Sequence, residues 1–358
     1  MRLYNLAFAA AALALPACTN TVYVNPCYGA GLLIPDQEAT GAEIVAAADK
    51  CIADGGERKQ GLVIRSGGHM RETNYEAAIA DADAAIALDP NYADAWYYRG
   101  YANEELGRID AARSDFDKAI ELGLAPGYAF RARGRVKFLE NDFAGAYDDF
   151  DAIIAADPND QEAYRLRGAA AHVLERWSQA EADFTKAIEL DPNDLKAYSG
   201  RAYVKYFTGR YAAAVPDFKK ALSKKPEGLK AAFLYLAMRR ANDPDTDAEL
   251  ARQAETLDAT HNPGVFPALF LGRVTIDEMV RVATETGIHK PRENESEGFF
   301  YAGMAELFAG HQDRAEQWFR RVLATGVIRF DEIRGARKEL RAMGIKVPSP
   351  DPRATPGS

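Results

Sequence analysis

The sequence has 358 residues, a formal net charge of −9, 47% hydrophobic residues and 27% charged residues. That length is too great for one ordinary compact core and comfortable for a repeat array, and the composition is too apolar for global disorder. An acidic chain of this size is a poor general binder of nucleic acid or anionic lipid.

At the N-terminus, Arg2 precedes an apolar run from Leu6 to Leu15, followed by Pro16-Ala17-Cys18. The run is too short to span a bilayer but fits the apolar region of a secretory signal, so residues 1–17 read as a signal peptide. Leu15-Pro16-Ala17-Cys18 resembles a bacterial lipobox, with Pro16 where a small or β-branched residue is usual. The resemblance implies cleavage before Cys18 and acylation of that residue, and Thr19 in place of an acid implies sorting to the outer membrane, facing the periplasm. Ordinary cleavage after Ala17, leaving Cys18 unmodified and the protein soluble in the periplasm, is the alternative. Each lipid CH₂ buried would contribute about 0.8 kcal/mol to anchoring. No later run is long and apolar enough for a transmembrane helix.

Export bears on the other two cysteines, Cys27 and Cys51. In an oxidising compartment they form an even pair once Cys18 is acylated, and a Cys27–Cys51 disulfide is expected. Two free structural thiols are the alternative. Residues 18–38 read as a linker with Pro26 and Pro35, and 39–58 as a capping helix that the disulfide would fix to it.

Beyond this, Pro90, Pro158, Pro192 and Pro226 recur at one constant interval, with a single member skipped between the first two. Four columns keep the same 34-residue period: Ala78, Ala112, Ala146, Ala180 and Ala214; Phe116, Phe150, Phe184 and Phe218; Gly100, Gly134 and Gly168; and Trp96, Phe130, Tyr164 and Tyr198. Five repeats follow, 59–92, 93–126, 127–160, 161–194 and 195–228. This period with these residue types resembles the tetratricopeptide repeat (TPR). The resemblance implies an all-α, right-handed TPR solenoid of antiparallel helix pairs, in which small residues let paired helices approach and aromatic knobs fill the gap to the next repeat.

A further column holds Arg65, Arg99, Arg133, Arg167 and Arg201, and Asp81, Asp115, Asp149, Asp183 and Asp217 follow them one for one at a constant offset. That separation puts the two members on the first and second helices of one repeat. In a possible later repeat, 296–329, Ala302 and Trp318 take both places, so the charges vanish together. A structural ion pair inside each repeat is expected; a functional charge array is the alternative.

Residues 229–295 form a divergent helical segment, with helices expected at Leu229–Ala241 and Ala248–Thr260, a turn at His261-Asn262-Pro263-Gly264, and one or two short helices between Ala268 and Thr286. Residues 296–345 read as a degenerate repeat, starting at Glu297, plus a capping helix from Phe330 to Met343; the proline-rich tail 346–358 is expected to be disordered. The stretch Phe266-Pro267-Ala268-Leu269-Phe270-Leu271-Gly272-Arg273, with Phe300-Tyr301-Ala302-Gly303 and Phe330-Asp331-Glu332, looks like the tail of exported bacterial TPR lipoproteins. Those relatives include adaptors that bring cell-wall hydrolases and proteases together.

The five histidines, His69, His172, His261, His289 and His311, show no metal-ligand spacing, and Ser66-Gly67-Gly68-His69 lacks the lysine of a phosphate loop. No metal, cofactor or catalytic role is expected. In TPR folds the first helices line a concave face, and the register puts Tyr97, Tyr101, Tyr128, Arg131, Arg135, Arg165, His172, Tyr203, Tyr206 and Phe207 on or near it. Tyrosine and arginine are enriched in interface hot spots, so a partner segment with acidic groups is expected there. The alternative is that several of these aromatics pack between neighbouring first helices. Three functions are therefore weighed: an envelope adaptor using the concave groove, a structural subunit of an envelope assembly using its convex face, and an enzyme.

Overall fold

The computed structural model describes residues 40–55, 57–287, 289–328 and 330–347. The signal segment, Cys18, Cys27 and the tail beyond residue 347 lie outside them. Among the described residues every regular element is an α-helix. The chain divides into two compact units between Leu139 and Glu140, a boundary inside the third repeat.

The first unit holds α1 (Gly41–Ala53), α2 (Arg58–Arg71), α3 (Tyr75–Leu88), α4 (Ala93–Glu105), α5 (Ile109–Glu121) and α6 (Pro126–Leu139). α1 begins at a reciprocal cap: the Glu43 amide donates to Thr40 Oγ1 at 3.2 Å, and the Thr40 amide donates to Glu43 Oε2 at 2.7 Å. α1 packs on α2, where Ser66-Gly67-Gly68-His69 lies inside a continuous helix, toward its C-terminal end. The glycine there serves close approach: a Cβ on Gly68 would stand 3.0 Å from the Gly41 carbonyl oxygen. Within a repeat the first and second helices pack as pairs, α2 on α3 and α4 on α5, and the first helices α2, α4 and α6 also touch in succession. The alanine and aromatic columns are the core: Ala78, Ala112 and Phe116 are all 0% exposed.

The second unit holds α7 (Phe143–Ala156), α8 (Gln161–Val173), α9 (Trp177–Leu190), α10 (Leu195–Phe207), α11 (Tyr211–Ala221) and α12 (Gly228–Arg240). It continues with α13 (Thr246–Ala254), α14 (Val265–Phe270), α15 (Ile276–Thr286), α16 (Pro291–Phe308), α17 (Gln312–Ala324) and α18 (Asp331–Ala342). Two helices differ from the sequence reading. α13 stops at Ala254 rather than Thr260, because Asp258 instead organises a turn, accepting from the Thr260 amide at 2.8 Å. α16 starts at Pro291 rather than Glu297, because proline suits the first helical turn and Glu293 accepts from the Lys290 amide at 3.2 Å. The pair α16 and α17 keeps the repeat's packing despite its lost charges. A Cβ on Gly303 would meet Phe319 at 2.5 Å, as one on Gly100 would meet Phe116 at 2.8 Å in the first unit.

The turn between the two helices of a repeat carries a left-handed residue at one register position: Thr73, Gly107, Asn141, Glu175, Gly209 and Gly310 all have positive φ. Half of these are not glycine, so the column is hidden in the sequence. Fully buried aromatics are densest in the second unit, where Phe218, Phe233, Phe266, Phe300, Tyr301 and Phe319 belong to one core.

Candidate partner-binding surface

The arginine column is a structural device with two arms. In the first unit Arg65 grips Asp81 with Nη2 at 2.6 Å and Nε at 2.8 Å, and Arg99 grips Asp115 at 2.6 and 3.0 Å. In the second unit Arg167 grips Asp183 at 2.6 and 2.9 Å, and Arg201 grips Asp217 at 2.8 Å through both nitrogens. Arg133 and Asp149 fall in different units. Burial acts to raise the Asp217 carboxyl, but Arg201 and Lys205 hold it below its ordinary range. The remaining guanidinium nitrogen reaches back along the chain instead of forward: Arg65 to Asp49, Arg99 to Asp83, Arg133 to Asp117, Arg167 to Asp151 and Arg201 to Thr185. This second arm ties the first repeat to α1 and each later repeat to the one before it. The sequence reading missed it, although Asp49, Asp83, Asp117 and Asp151 form a column of the same period. In four repeats the guanidinium also lies over an aromatic ring one turn earlier, Arg99 over Trp96 at 4.6 Å, Arg133 over Phe130 at 5.2 Å, Arg167 over Tyr164 at 5.5 Å and Arg201 over Tyr198 at 5.6 Å.

The inner face of the first unit is built by α2, α4 and α6. Tyr97 is 9% exposed and rings with Tyr98, Tyr101, Phe116 and Tyr128 at centroid distances of 5.6 to 6.4 Å. It is core, and its expected partner contact is corrected. Tyr101, Tyr128, Arg131 and Arg135 are half-buried. Arg135 donates to Glu104 Oε1 at 2.6 Å and lies over the Tyr101 ring at 5.5 Å; Arg131 Nε donates to the Gly127 carbonyl at 3.1 Å. Burial raises the Glu104 carboxyl, and its other oxygen is buried without a partner. Arg135 is therefore not a bare charge here: an acid of the same face compensates it.

The inner face of the second unit is covered. α18 packs on α10, and Asp331 Oδ1 lies 2.7 Å from His172 Nε2. Lys338 Nζ donates to the Tyr206 and Phe207 carbonyls, both at 2.9 Å, ending α10 with a cation where its dipole favours one. Arg240 donates to Glu339 at 2.6 Å. His172, Tyr206 and Phe207 are 7%, 0% and 9% exposed, and Tyr203 packs edge-on to Phe233 at 4.9 Å. The expectation that these four side chains meet a partner is corrected, because a helix from the far end of the chain already occupies their face. Arg165, in the same unit, is paired with Glu162 at 2.8 Å and Asp194 at 3.2 Å.

Cys51 is disulfide-bonded. Cys27 and Cys18, and with them the expected pairing, lie outside the described residues. No cluster of three or more metal-ligating side chains and no helix long and apolar enough to cross a membrane occurs among the described residues.

Paired helices at constant register, with small residues at the closest approach, define a helical-repeat protein. The repeats are tetratricopeptide repeats: models of that repeat match residues 68–129, 161–194 and 195–227. No curated protein matches the chain. Among solved structures, a tetratricopeptide repeat protein from Parabacteroides merdae ATCC 43184 is similar, with 16% identity and a TM-score of 0.50 over 80% of this chain and 100% of its own. PilW, a widely conserved type IV pilus biogenesis factor, is similar with 20% identity and a TM-score of 0.50 over 55% of this chain and 93% of its own. At these identities the likeness is one of fold.

Proposed function

We propose that this chain is a protein-interaction scaffold of the bacterial envelope, exported and lipid-anchored through Cys18, which binds a partner segment on the inner face of its first unit. The observation that carries the reading is the surface formed by Tyr101, Tyr128, Arg131 and Arg135: among the described residues of that unit, these side chains stay half-buried on first helices. They are of the types that anchor interfaces. A partner carboxylate would compete with Glu104 for Arg135, so the segment is expected to be acidic, extended and aromatic-contacting.

A photo-crosslinking residue in place of Tyr128 tests this in cells. Capture of a partner there, weakened by Arg131→Ala with Arg135→Ala, is the expected result. Capture only from an outer-helix site such as the exposed Ser178 would favour the second reading, a structural subunit working through its convex face. The covering of the second unit's inner face by α18 gives that reading its support. Mass spectrometry of the mature N-terminus tests the anchor: acylated Cys18 is expected, and an unmodified N-terminus removes the anchor from the proposal.

A further inference from the structure

α18 is docked by an apolar ridge, Ile333, Ala336 and Leu340, each at most 1% exposed. A helix that permanently completes a fold satisfies the polar groups it buries. This one does not. His172 Nδ1, Tyr206 Oη and Arg240 Nε are buried without a partner, and all three side chains belong to residues that touch α18, through Asp331, Lys338 and Glu339.

A second fault lies at the start of the helix. Glu332 of α18 and Glu297 of α16 are 4% and 2% exposed, and near enough to repel each other. Glu297 accepts from Asn262 Nδ2 at 2.9 Å, and His289 Nε2 lies 3.7 Å from its other oxygen. The Tyr301 hydroxyl donates to Glu332 at 3.4 Å, and among the described residues no cation lies within salt-bridge distance of Glu332. Arg334, two residues on, is held by Asp331 at 2.9 Å. Two buried carboxylates with so little compensation cannot both stay ionised.

We propose that α18 is a releasable cover: it stays on the inner face of α8 and α10 while the buried carboxyls of Glu297 and Glu332 are not both ionised, and leaves when both are. Release opens the floor of His172, Tyr206 and Phe207 to a partner helix. That helix would offer a carboxylate to His172 and an ammonium group to the last carbonyls of α10, as α18 does through Asp331 and Lys338. The proposal is independent of the first unit's binding face.

The charge balance around the pair sets the direction. Burial pushes Glu297 up to about 7, and burial with repulsion from Glu297 and Asp331 pushes Glu332 well above its ordinary range. An acid whose value is raised in the docked state favours docking at low pH, and this contribution is lost as pH rises through about 7. The other groups facing the pair are Glu293 and Tyr301 on α16, Asp331 and Arg334 on α18, His172 on α8, Tyr203 on α10, and His289 before α16. Burial keeps the Tyr203 and Tyr301 phenols neutral. Burial acts to raise Asp331, but His172 and Arg334 hold it at about 2, so it stays ionised. Burial lowers His172, which therefore opposes docking on the acid side only.

Hydrogen exchange of the full chain, corrected for the intrinsic pH dependence of exchange, tests the proposal. The opening constant of residues 331–342 is expected to rise with pH, by up to about tenfold per unit, below about 7 and to level off above it, as one-proton linkage requires, while α9 keeps its protection. Glu332→Gln is expected to flatten that rise, and Glu297→Gln serves as the second variant should the first misfold. The proposal is overturned if protection of 331–342 does not change with pH, if the change survives both substitutions, or if α18 and α9 open together as one unit.

Discussion

Glu104 in the first unit and His172 and Tyr206 in the second stand at the same register position, in the second, fourth and fifth repeats. Glu104 pairs with Arg135 on an inner face where Tyr101 and Tyr128 remain half-exposed. His172 and Tyr206 lie beneath α18, at 7% and 0% exposure. The repeat decides which way a side chain faces. Whether that face is surface or core is decided by a segment remote in the sequence, and a periodic pattern carries no information about it.

The largest test of this contrast is in the aromatic core under the cover. Phe233 is 1% exposed and packs against Tyr203, Tyr206, Phe300 and Tyr301, so it links the inner face to α16. Phe233→Ala is expected to destabilise the second unit by about 3–5 kcal/mol in urea unfolding. Tyr128→Ala, on the open face, is expected to cost about 1 kcal/mol. Equal losses would mean that the two faces are packed alike.

Lys338→Met comes next. It removes two charge-assisted bonds to the end of α10 while keeping the side chain's length, and about 1.5–3 kcal/mol of docking energy should go with them. The loss should appear as faster exchange of residues 331–342, with α9 unchanged. A uniform loss across the unit would make α18 an inseparable part of the core.

A smaller effect lies on the acid side. Burial lowers His172, so its folded value is below its unfolded one. For a base this contributes stability that is present above about 6.5 and lost as pH falls below it. The slope is at most about 1.4 kcal/mol per pH unit, and His172→Gln should remove it from pH-dependent thermal unfolding.

Much of the fold was legible because the columns at Ala78, Gly100 and Phe116 each serve one packing need that recurs with the repeat. Elements outside the period were less legible: the ends of α13 and α16 depend on local turn and cap chemistry at Asp258 and Glu293. The candidate surface was legible only in direction. Tyr97 and Tyr101 lie one turn apart on one helix, yet the first is core and the second half-exposed. The acid that compensates Arg135 is not legible beside it, because Glu104 lies in the neighbouring repeat, whereas Glu162 stands one turn from Arg165.

The smallest effect concerns what joins repeat to repeat. Arg99 has one arm on Asp115, whose side chain is 5% exposed, and one on Asp83, which is 51% exposed. The arms look equivalent by distance, 2.6 and 2.7 Å, but solvent separates them. Asp115 is withdrawn from water and is also held by Asn103 at 3.1 Å, so the arginine replaces most of the hydration it has lost. Asp83 keeps much of its hydration whether or not Arg99 is present, and salt screens the contact. Asp83→Ala is therefore expected to cost about 0.2–1 kcal/mol, measured by urea unfolding at low ionic strength, and to fade as salt is added. A loss of several kcal/mol would mean that the backward arm, and not the packing of the alanine and phenylalanine columns, couples neighbouring repeats. The open face of the first unit would then be held in shape by a chain of surface ion pairs and should loosen in high salt. The covered face of the second unit, held by buried aromatics, should not.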